Sequence, residues 1–178
     1  MTIATALPAL LMLPAGDFPI KESCTGLDVH FERDVVKAAS EPGQLYARIT
    51  LDNETCRPVG IAAHGQPEHG LWMRDDEFVR WETQRAGSSQ WTAYIGDQHK
   101  GRPGAADEPL RTIQHGEKLQ LYVEVPWPLH DLPADSKARV FITDNQGWSR
   151  SSEEFLLAQY TQKPSADPGL DLSEQAGK

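Results

Sequence analysis

A run of charged side chains follows an apolar stretch near the middle of the chain, in WTAYIGDQHKGRP (residues 91–103). Asp97, His99, Lys100 and Arg102 bring a carboxylate, an imidazole and two cations together within six residues. Such a set could transfer protons or bind a charged ligand. It could equally be a polar turn, because the apolar residues before it are those of a strand end. Three interpretations are therefore open: a catalytic loop, a recognition loop or a turn.

The nearest candidate for a metal site is HGQPEHG (residues 64–70). A zinc peptidase would carry His-Glu-x-x-His on a helix, so that two imidazoles one turn apart reach the same ion. His64 and His69 are instead five residues apart and are flanked by glycine and proline, which favours a loop. We therefore predict a solvated loop, with no metal site and no cofactor.

The sequence shows no activated nucleophile. It has no Gly-x-Ser-x-Gly motif, and the acidic run at residues 75–77 is typical of a solvated turn. Cys24 and Cys56 are predicted to form a disulfide, which would close a loop of about 33 residues and contribute roughly 3–4 kcal/mol in the chain-entropy model. The alternative is a pair of buried free thiols. We expect no catalytic residues and no enzymatic activity.

Five tryptophans supply further candidate binding residues. Trp81 and Trp91 lie in strand-like patterns and are predicted to belong to the core. Trp72 follows Gly-Leu, Trp127 lies between two prolines and Trp148 follows a glycine, so these three are predicted to lie on loops. Aromatic residues on loops often anchor a protein or a sugar. The alternative is that they close the ends of the fold.

Alternating apolar and polar residues predict the elements that must position these side chains. Thirteen prolines and fourteen glycines favour turns between short strands over long helices. The predicted strands cover residues 27–31, 45–51, 59–61, 78–81, 91–95, 119–125, 138–143 and 155–160. This spacing predicts an all-β fold, an antiparallel β-sandwich of about seven to nine strands with little helix.

The two ends of the chain differ from this pattern. Residues 1–16 contain an uncharged apolar run followed by Pro-Ala-Gly and resemble a signal peptide. The run is about eleven residues long, and at about 1.5 Å per residue it is too short to cross a membrane, so we predict no integral membrane span. Residues 161–178 contain two leucines and no aromatic residue, and are predicted to be a disordered tail. The predicted folded domain is therefore 17–160.

Charge and cysteine content limit the partners and the compartment. The net charge is −9 and the isoelectric point is near 5.1, so the protein repels phosphate backbones and no nucleic-acid partner is expected. The signal-like start and the cysteine pair together predict a secreted or periplasmic protein.

Eight segments follow one another in a defined order between residues 49 and 143. They are ITLDN (49–53), HGQPEHGL (64–71), EFVRWE (77–82), YIGDQHKGR (94–102), AADEPL (105–110), HGEKLQLYVEV (115–125), LHDLP (129–133) and KARVFIT (137–143). This order resembles the immunoglobulin-like, non-catalytic N-terminal region of deuterolysin-like (M35, peptidyl-lysine-type) metallopeptidases. Gly101 separates the Lys-Arg pair that is adjacent in the family. The resemblance implies an immunoglobulin-like sandwich without the catalytic domain.

Together these features predict an exported, non-catalytic module that binds a protein. By family analogy the partner is a peptidase, which the module would bind, chaperone or inhibit through loops 94–104 and 64–74. The alternative is a carbohydrate- or cell-wall-binding module that stacks sugars on Trp72, Trp127 and Trp148.

Overall fold

The strands of the predicted all-β fold are present in the computed structural model, which describes residues 24–39, 43–73, 78–94, 110–168, 170 and 172. Within these residues the strands are β1 (Leu27–Ala38), β2 (Leu45–Asn53), β3 (Val59–Ala62), β4 (Trp72–Met73), β5 (Val79–Gln84), β6 (Thr92–Tyr94), β7 (Leu110–Ile113), β8 (Lys118–Val125), β9 (Lys137–Thr143), β10 (Ser149–Ser151) and β11 (Ser165–Asp167). The helices are a 3₁₀-helix (Pro67–His69), α1 (Trp127–His130) and α2 (Ala158–Thr161). Helix is as scarce as predicted in this part of the chain.

Two main sheets pack face to face as a sandwich. The first has the order β11-β1-β2-β8-β4 and the second the order β10-β9-β5-β6, while β3 and β7 form a separate pair. Strands β1, β2 and β8 take the positions of A, B and E in an immunoglobulin sandwich. Strands β5, β6, β9 and β10 take those of C, C′, F and G. The predicted all-β sandwich is therefore confirmed, but its pairing is not purely antiparallel, because the edge strands β11 and β4 pair in parallel with β1 and β8.

The alternation in the sequence builds the core between the sheets. On β9, Ala138, Val140 and Ile142 are fully buried, and the residues between them are half-buried. Trp81 of β5 is fully buried, as predicted, and its indole Nε1 donates a hydrogen bond of 3.0 Å to the backbone oxygen of Glu124 in the other sheet. A buried donor without an acceptor costs about 1–3 kcal/mol. This bond therefore helps to fix how the sheets pack.

Seven of the eight predicted strands are present, and four short strands, β4, β7, β10 and β11, were not predicted. The eighth prediction, a strand over residues 155–160, is wrong. Phe155 makes only an isolated bridge to Ala138, and α2 follows, with the N–H of Thr161 donating to the oxygen of Leu157 at 3.1 Å. A short apolar run fits a strand or a buried helical turn equally well, and periodicity does not separate the two.

The prediction of a disordered tail is wrong for residues 161–168, 170 and 172. β11 pairs in parallel with the end of β1, where Ser165 lies opposite Val36. Leu170 and Leu172 are buried on the outer face of the first sheet. They belong to a second apolar cluster that consists of Val36, Ala38, Tyr46, Trp72, Tyr122, Leu170 and Leu172. The folded domain therefore extends beyond residue 160.

A polar cluster on the same face anchors this segment, and we call Arg48, Tyr122 and Asp167 the tail clamp. Oδ2 of Asp167 accepts hydrogen bonds from Nη2 of Arg48 at 2.8 Å and from the Tyr122 hydroxyl at 2.7 Å. Nη1 of Arg48 also lies 3.2 Å from Oδ2 of Asp34. Burial raises the pKa of Tyr122, and its hydrogen bond to Asp167 raises it further, against the opposing charge of Arg48. The clamp therefore favours a protonated Tyr122.

The predicted signal peptide, residues 1–16, lies outside the described residues. Helices α1 and α2 have four residues each, whereas a membrane-spanning helix needs about 20. In the part of the chain that the structure describes, no helix is long and apolar enough to cross a membrane.

Candidate functional site

The predicted disulfide between Cys24 and Cys56 is confirmed, with the two Cα atoms 5.3 Å apart. It joins the residues before β1 to the loop that follows β2. Leu27 at the start of β1 lies opposite Asn53 at the end of β2, so the bridge reinforces a contact that the sheet already makes. We call this region, with loop 53–60 and the β9–β10 turn, the disulfide end.

The buried amide of Asn53 shapes the loop after β2. Its Nδ2 donates hydrogen bonds to the backbone oxygens of Arg57 at 2.9 Å and Ile113 at 2.8 Å. Its Oδ1 accepts hydrogen bonds from the N–H and the hydroxyl of Thr55 at 2.9 and 2.6 Å. Both amide donors and both acceptor positions are thus used. The loop is held in one conformation, which positions the side chain of Arg57.

Asp144 organises the turn between β9 and β10. Its Oδ1 accepts hydrogen bonds from the backbone N–H groups of Gln146 at 2.8 Å and Trp148 at 2.9 Å. Its Oδ2 accepts a hydrogen bond of 3.0 Å from Nη2 of Arg57. Gly147 completes the turn with a positive φ of 82°, a conformation that glycine adopts readily. Asp144 therefore joins the turn to the loop after β2 and places Trp148 beside it.

A second contact fixes the turn against β3. The N–H of Asn145 donates to the oxygen of Gly60 at 2.9 Å, and Oδ1 of Asn145 accepts from the N–H of Gly60 at 3.2 Å. A Cβ atom at position 60 would lie 2.7 Å from Cγ of Asn145, closer than van der Waals contact allows. Glycine permits this close approach of the Asn145 side chain, and the two segments form one unit.

Between these segments lies a cavity of about 200 Å³, which we call the Arg57 cavity. Trp148 in its wall is 60% exposed, a large fraction for an apolar side chain of this size. Two cations, Arg57 and Arg150, and one anion, Asp144, leave an excess of one positive charge in a chain of net charge −9. The lining residues are Leu27, Thr55, Arg57, Val59, Asp144, Trp148 and Arg150.

The guanidinium groups of the cavity keep hydrogen-bonding capacity. Nη1 of Arg57 is buried and has no hydrogen-bond partner among the described residues. Arg150 donates through Nη1 to the neighbouring backbone oxygen of Ser149 at 3.2 Å. The carboxylate of Asp144, in contrast, already accepts three hydrogen bonds. The cavity therefore presents cationic donors, which suit an anionic ligand.

Trp127, predicted as a loop tryptophan, is 65% exposed and lies at the other end of the sandwich. It begins α1 directly after β8, and Val125 at the end of β8 pairs with Leu45 at the start of β2. The disulfide end follows the last residue of β2. Because β2 has nine residues that rise about 3.3 Å each, the two ends are roughly 26 Å apart. Trp127 and Trp148 therefore do not form a common surface.

The ring of Trp127 packs on His130, with 4.5 Å between the ring centroids. Burial lowers the pKa of His130, although its contact with the backbone oxygen of Val125 at 2.9 Å and the charge of Asp131 act in the opposite direction. The imidazole of His130 and the indole of Trp127 thus pack together at this end of the fold.

The prediction that Trp72 lies on an exposed loop is wrong. Trp72 is buried in β4, which pairs in parallel with β8 opposite Tyr122. Its ring packs edge-on against Tyr46 at 6.4 Å and lies 4.7 Å from the ring of His64. It belongs to the apolar cluster that contains Leu170. The chain after the 3₁₀-helix adds to the sheet instead of leaving it, and the C-terminal segment covers the same face.

Trp91, predicted as a core residue, is half-buried and comes just before β6. The guanidinium of Arg139 lies 4.2 Å from the centroid of its ring, and Nη2 of Arg139 pairs with Glu82 at 2.6 Å. Arg139 alternates with the buried residues of β9, so this contact is on the outer face of the second sheet. Trp91 therefore packs under an arginine outside the core.

Four predicted recognition residues, Asp97, His99, Lys100 and Arg102, lie outside the described residues and remain predictions. β6, the strand before them, runs antiparallel to β5. Since β5 begins beside the end of β9, β6 runs toward the disulfide end. The described strand thus runs toward the end of the sandwich that carries the cavity.

The two histidines of the HGQPEHG segment do not face a common site in the described structure. The ring of His64 packs at a tilt against Trp72, whereas His69 ends the 3₁₀-helix and is exposed. Among the residues that the structure describes, no three His, Cys, Asp or Glu side chains form a group that could hold a metal ion.

Three residues of the cavity, Arg57, Asp144 and Arg150, were not found from the sequence. A local signal existed for one of them, because an aspartate at the start of Asp-Asn-Gln-Gly favours a turn in which its side chain accepts backbone N–H groups. No local signal connects Asp144 to Arg57, since they are 87 residues apart and meet only when the two sheets pack.

Comparison with known proteins does not place the chain in a family. No family model matches it, and no curated protein matches it. Among solved structures, one similar chain is the X-ray structure of Northeast Structural Genomics Consortium target SoR45. It is 12% identical over 74% of this chain and 84% of that chain, with a TM-score of 0.35.

Proposed function

We propose that this protein is an exported, non-catalytic β-sandwich module that binds a protein partner through its disulfide end. The observation that carries the proposal is Trp148, which is 60% exposed in the wall of a cavity that Arg57 and Arg150 also line. Tryptophan and arginine are enriched among the few residues that dominate the binding energy of protein interfaces. Their grouping at one end of the sandwich favours a binding surface there.

The fixed geometry of this end supports the proposal. Asn53 uses its whole hydrogen-bonding capacity to hold one segment, and Asp144 accepts three hydrogen bonds that hold the other. Ordering a flexible side chain at an interface costs about 0.5–1.5 kcal/mol. A site that is fixed before binding avoids part of that cost.

The lining of the cavity supports binding over catalysis. Its hydroxyl, that of Thr55, already donates to Oδ1 of Asn53 at 2.6 Å. Its carboxylate, that of Asp144, holds the turn. Nucleophilic catalysis needs a nucleophile within hydrogen-bond reach of a base, and the lining contains neither a thiol nor an imidazole.

The strand order supports the choice of the disulfide end. Its two segments take the positions of the B–C and F–G loops, which carry binding residues in antibody variable domains. This is an analogy of fold. The class of partner comes from the sequence resemblance to M35-type peptidases, which favours a peptidase. The disulfide supports export, because disulfides persist in secreted and periplasmic proteins.

No structural observation favours the carbohydrate alternative. Of the three tryptophans that it needs, Trp72 is buried, and Trp127 and Trp148 lie at opposite ends of the sandwich. Extended sugar-binding surfaces stack successive rings on neighbouring aromatic side chains. We therefore treat sugar binding as one outcome of the test below.

The test uses the full chain with its disulfide formed. Calorimetry measures binding to a purified M35-type peptidase and to proteins that co-purify with the chain from its native host. The rate of proteolysis by the peptidase is followed in parallel. We expect direct binding that Trp148→Ala weakens about tenfold or more, as for an interface anchor. Trp127→Ala is the matched control, because it removes an equally exposed tryptophan at the other end.

Two results would contradict the proposal. One is equal weakening by Trp148→Ala and Trp127→Ala, which would remove the disulfide end as the binding surface. The other is retention on insoluble polysaccharide or peptidoglycan without any protein partner. Binding to a peptidase without slower proteolysis would reject inhibition and keep the binding function.

A further inference from the structure

We propose that the Arg57 cavity binds a carboxylate group carried by a peptide, either at a peptide C-terminus or on an aspartate or glutamate side chain. The inference rests on the proposed function and deepens it, because it names the chemical group that this end of the sandwich receives. The shared chemistry of the two sources is one negative charge spread over two oxygen atoms.

Charge distribution is the first reason. The chain carries a net charge of −9, so most of its surface repels anions. The Arg57 cavity has two arginines and one aspartate in its wall and therefore an excess of one positive charge. This excess attracts an anionic group such as a carboxylate.

Hydrogen-bonding geometry is the second reason. A guanidinium presents its donors in a planar fork that fits the two oxygens of a carboxylate. Arg57 uses Nη2 for Asp144, and Arg150 uses Nη1 for a backbone oxygen. The remaining donors of the two side chains are the ones that a ligand would engage.

The buried Nη1 of Arg57 is an unsatisfied donor of a residue that lines the cavity. A buried donor without an acceptor is unfavourable, and Nη1 has no partner among the described residues. A ligand oxygen beside Arg57 would supply the acceptor after a side-chain adjustment of the kind that is common at interfaces. Ligand binding would thus satisfy a group that the protein leaves unsatisfied.

The size and walls of the cavity define the ligand further. Its volume of about 200 Å³ is below the range of about 300–1,000 Å³ for pockets that hold drug-sized ligands. One amino-acid side chain or one terminal residue suits it better than a cofactor does. Leu27, Val59 and Trp148 provide apolar wall, against which the methylene groups of such a residue would pack.

The test is a nuclear magnetic resonance titration of the ¹⁵N-labelled full chain with three peptides. N-acetyl-Gly-Gly-Glu-amide carries a side-chain carboxylate, N-acetyl-Gly-Gly-Gln acid carries a terminal carboxylate, and N-acetyl-Gly-Gly-Gln-amide is neutral. We expect the indole N–H of Trp148 to shift saturably with at least one of the two acidic peptides. The neutral peptide is expected to bind about tenfold more weakly or not at all. The stronger acidic peptide identifies the source of the carboxylate.

Two variants test the arginines. In the described structure the side chain of Arg150 donates a hydrogen bond to the backbone oxygen of Ser149, so we expect Arg150→Gln to retain the fold. The affinity of this variant for the acidic peptide is expected to fall about tenfold. Arg57→Lys keeps the charge and loses the fork, and is expected to weaken binding as well. Arg85→Gln is the control, because it removes an exposed arginine that follows β5 at the opposite end, and its affinity is expected to be unchanged.

Four outcomes would overturn the inference. The first is equal affinity for the neutral and the acidic peptides, and the second is tighter binding of inorganic phosphate than of either acidic peptide. The third is unchanged affinity in Arg150→Gln. The fourth is no saturable shift at roughly 20 mM peptide, a concentration well above a dissociation constant of about 1 mM. One further result distinguishes the proposed function from the carboxylate proposal. A partner protein that loses affinity in Trp148→Ala and binds Arg150→Gln like the wild type would support the function and reject the carboxylate.

Discussion

Two clusters in this molecule are built from the same kinds of side chain: an arginine, an aspartate and an aromatic ring. One is the tail clamp, in which the arginine and aspartate are 2.8 Å apart. The other is at the disulfide end, where Arg57 and Asp144 are 3.0 Å apart next to Trp148. Each arginine also keeps one buried nitrogen without a hydrogen-bond partner among the described residues, Nε of Arg48 and Nη1 of Arg57. Pairing alone therefore does not distinguish the clusters.

The difference lies in what covers them. In the tail clamp the aspartate comes from the C-terminal segment itself, and Leu170 and Leu172 bury the neighbouring aromatic rings. At the disulfide end, Trp148 is exposed and the arginine borders a cavity. The chain thus uses one cluster to hold its own segment, and we propose that it keeps the other for a partner.

Removing the disulfide is expected to have the largest effect and to disturb the cluster of Arg57, Asp144 and Trp148 at the disulfide end. The double variant Cys24→Ala, Cys56→Ala should lower the free energy of unfolding by about 4 kcal/mol, as for a closed loop of about 33 residues. Chemical denaturation measures this loss. Amide shifts should change around Trp148 and not around Tyr122. A loss below about 1 kcal/mol, or equal shifts at both clusters, would show that the bridge does not support the site selectively.

Leu170→Ala is expected to destabilise the tail clamp and the apolar residues around it. Truncating a fully buried leucine should cost about 3 kcal/mol and release the C-terminal segment, which limited proteolysis detects. The emission of Trp72 should shift toward that of a hydrated indole, and affinity for acidic peptides should not change. Leu110→Ala, at a leucine that is 52% exposed, is the control and should cost little. Equal effects of the two variants would mean that the segment does not cover the cluster in solution.

Gly60→Ala is expected to disturb the cluster at the disulfide end by moving the β9–β10 turn. The added methyl group would meet Asn145 at 2.7 Å, and such overpacking costs about 2 kcal/mol. Calorimetric melting should show the loss, and peptide affinity should fall because Asp144 moves away from Arg57. Gly43→Ala is a matched control, since nothing lies within 4 Å of the added atom. Wild-type affinity in Gly60→Ala would show that the turn does not shape the site.

Alkaline pH is expected to have the smallest effect and to act on the tail clamp. The pKa of Tyr122 is raised in the folded protein, so its contribution is complete below pH 10 and is lost as pH rises from 10 toward the folded pKa. Tyr122→Phe should cost about 1 kcal/mol at neutral pH through the lost hydrogen bond. Above pH 10 its stability should fall less steeply than that of the wild type. Denaturation curves between pH 8 and 11 measure both slopes, and parallel slopes would contradict the assignment.

The sandwich could be predicted from the sequence because its main strands carry a period-two pattern within one segment. The ordered C-terminal segment could not be predicted in this way. Its composition shows only two leucines, whereas its order depends on the outer face of the first sheet, on which those leucines are buried. The burial of Trp72 escapes prediction for the same reason, since Leu170 helps to cover the face on which it lies. Trp148 was placed correctly in a turn because Gly147 marks it. The partnership of Arg57 with Asp144 depends on packing between distant segments, which no local pattern records.

The most direct test of the central claim is the Nε–Hε spectrum of the arginine side chains during a titration of the full chain with N-acetyl-Gly-Gly-Glu-amide. An open cavity at the disulfide end predicts that the signals of Arg57 and Arg150 shift with one common dissociation constant, while Arg48 in the tail clamp does not respond. A response of Arg48 equal to theirs, or no saturable response of Arg57 and Arg150, would contradict the claim.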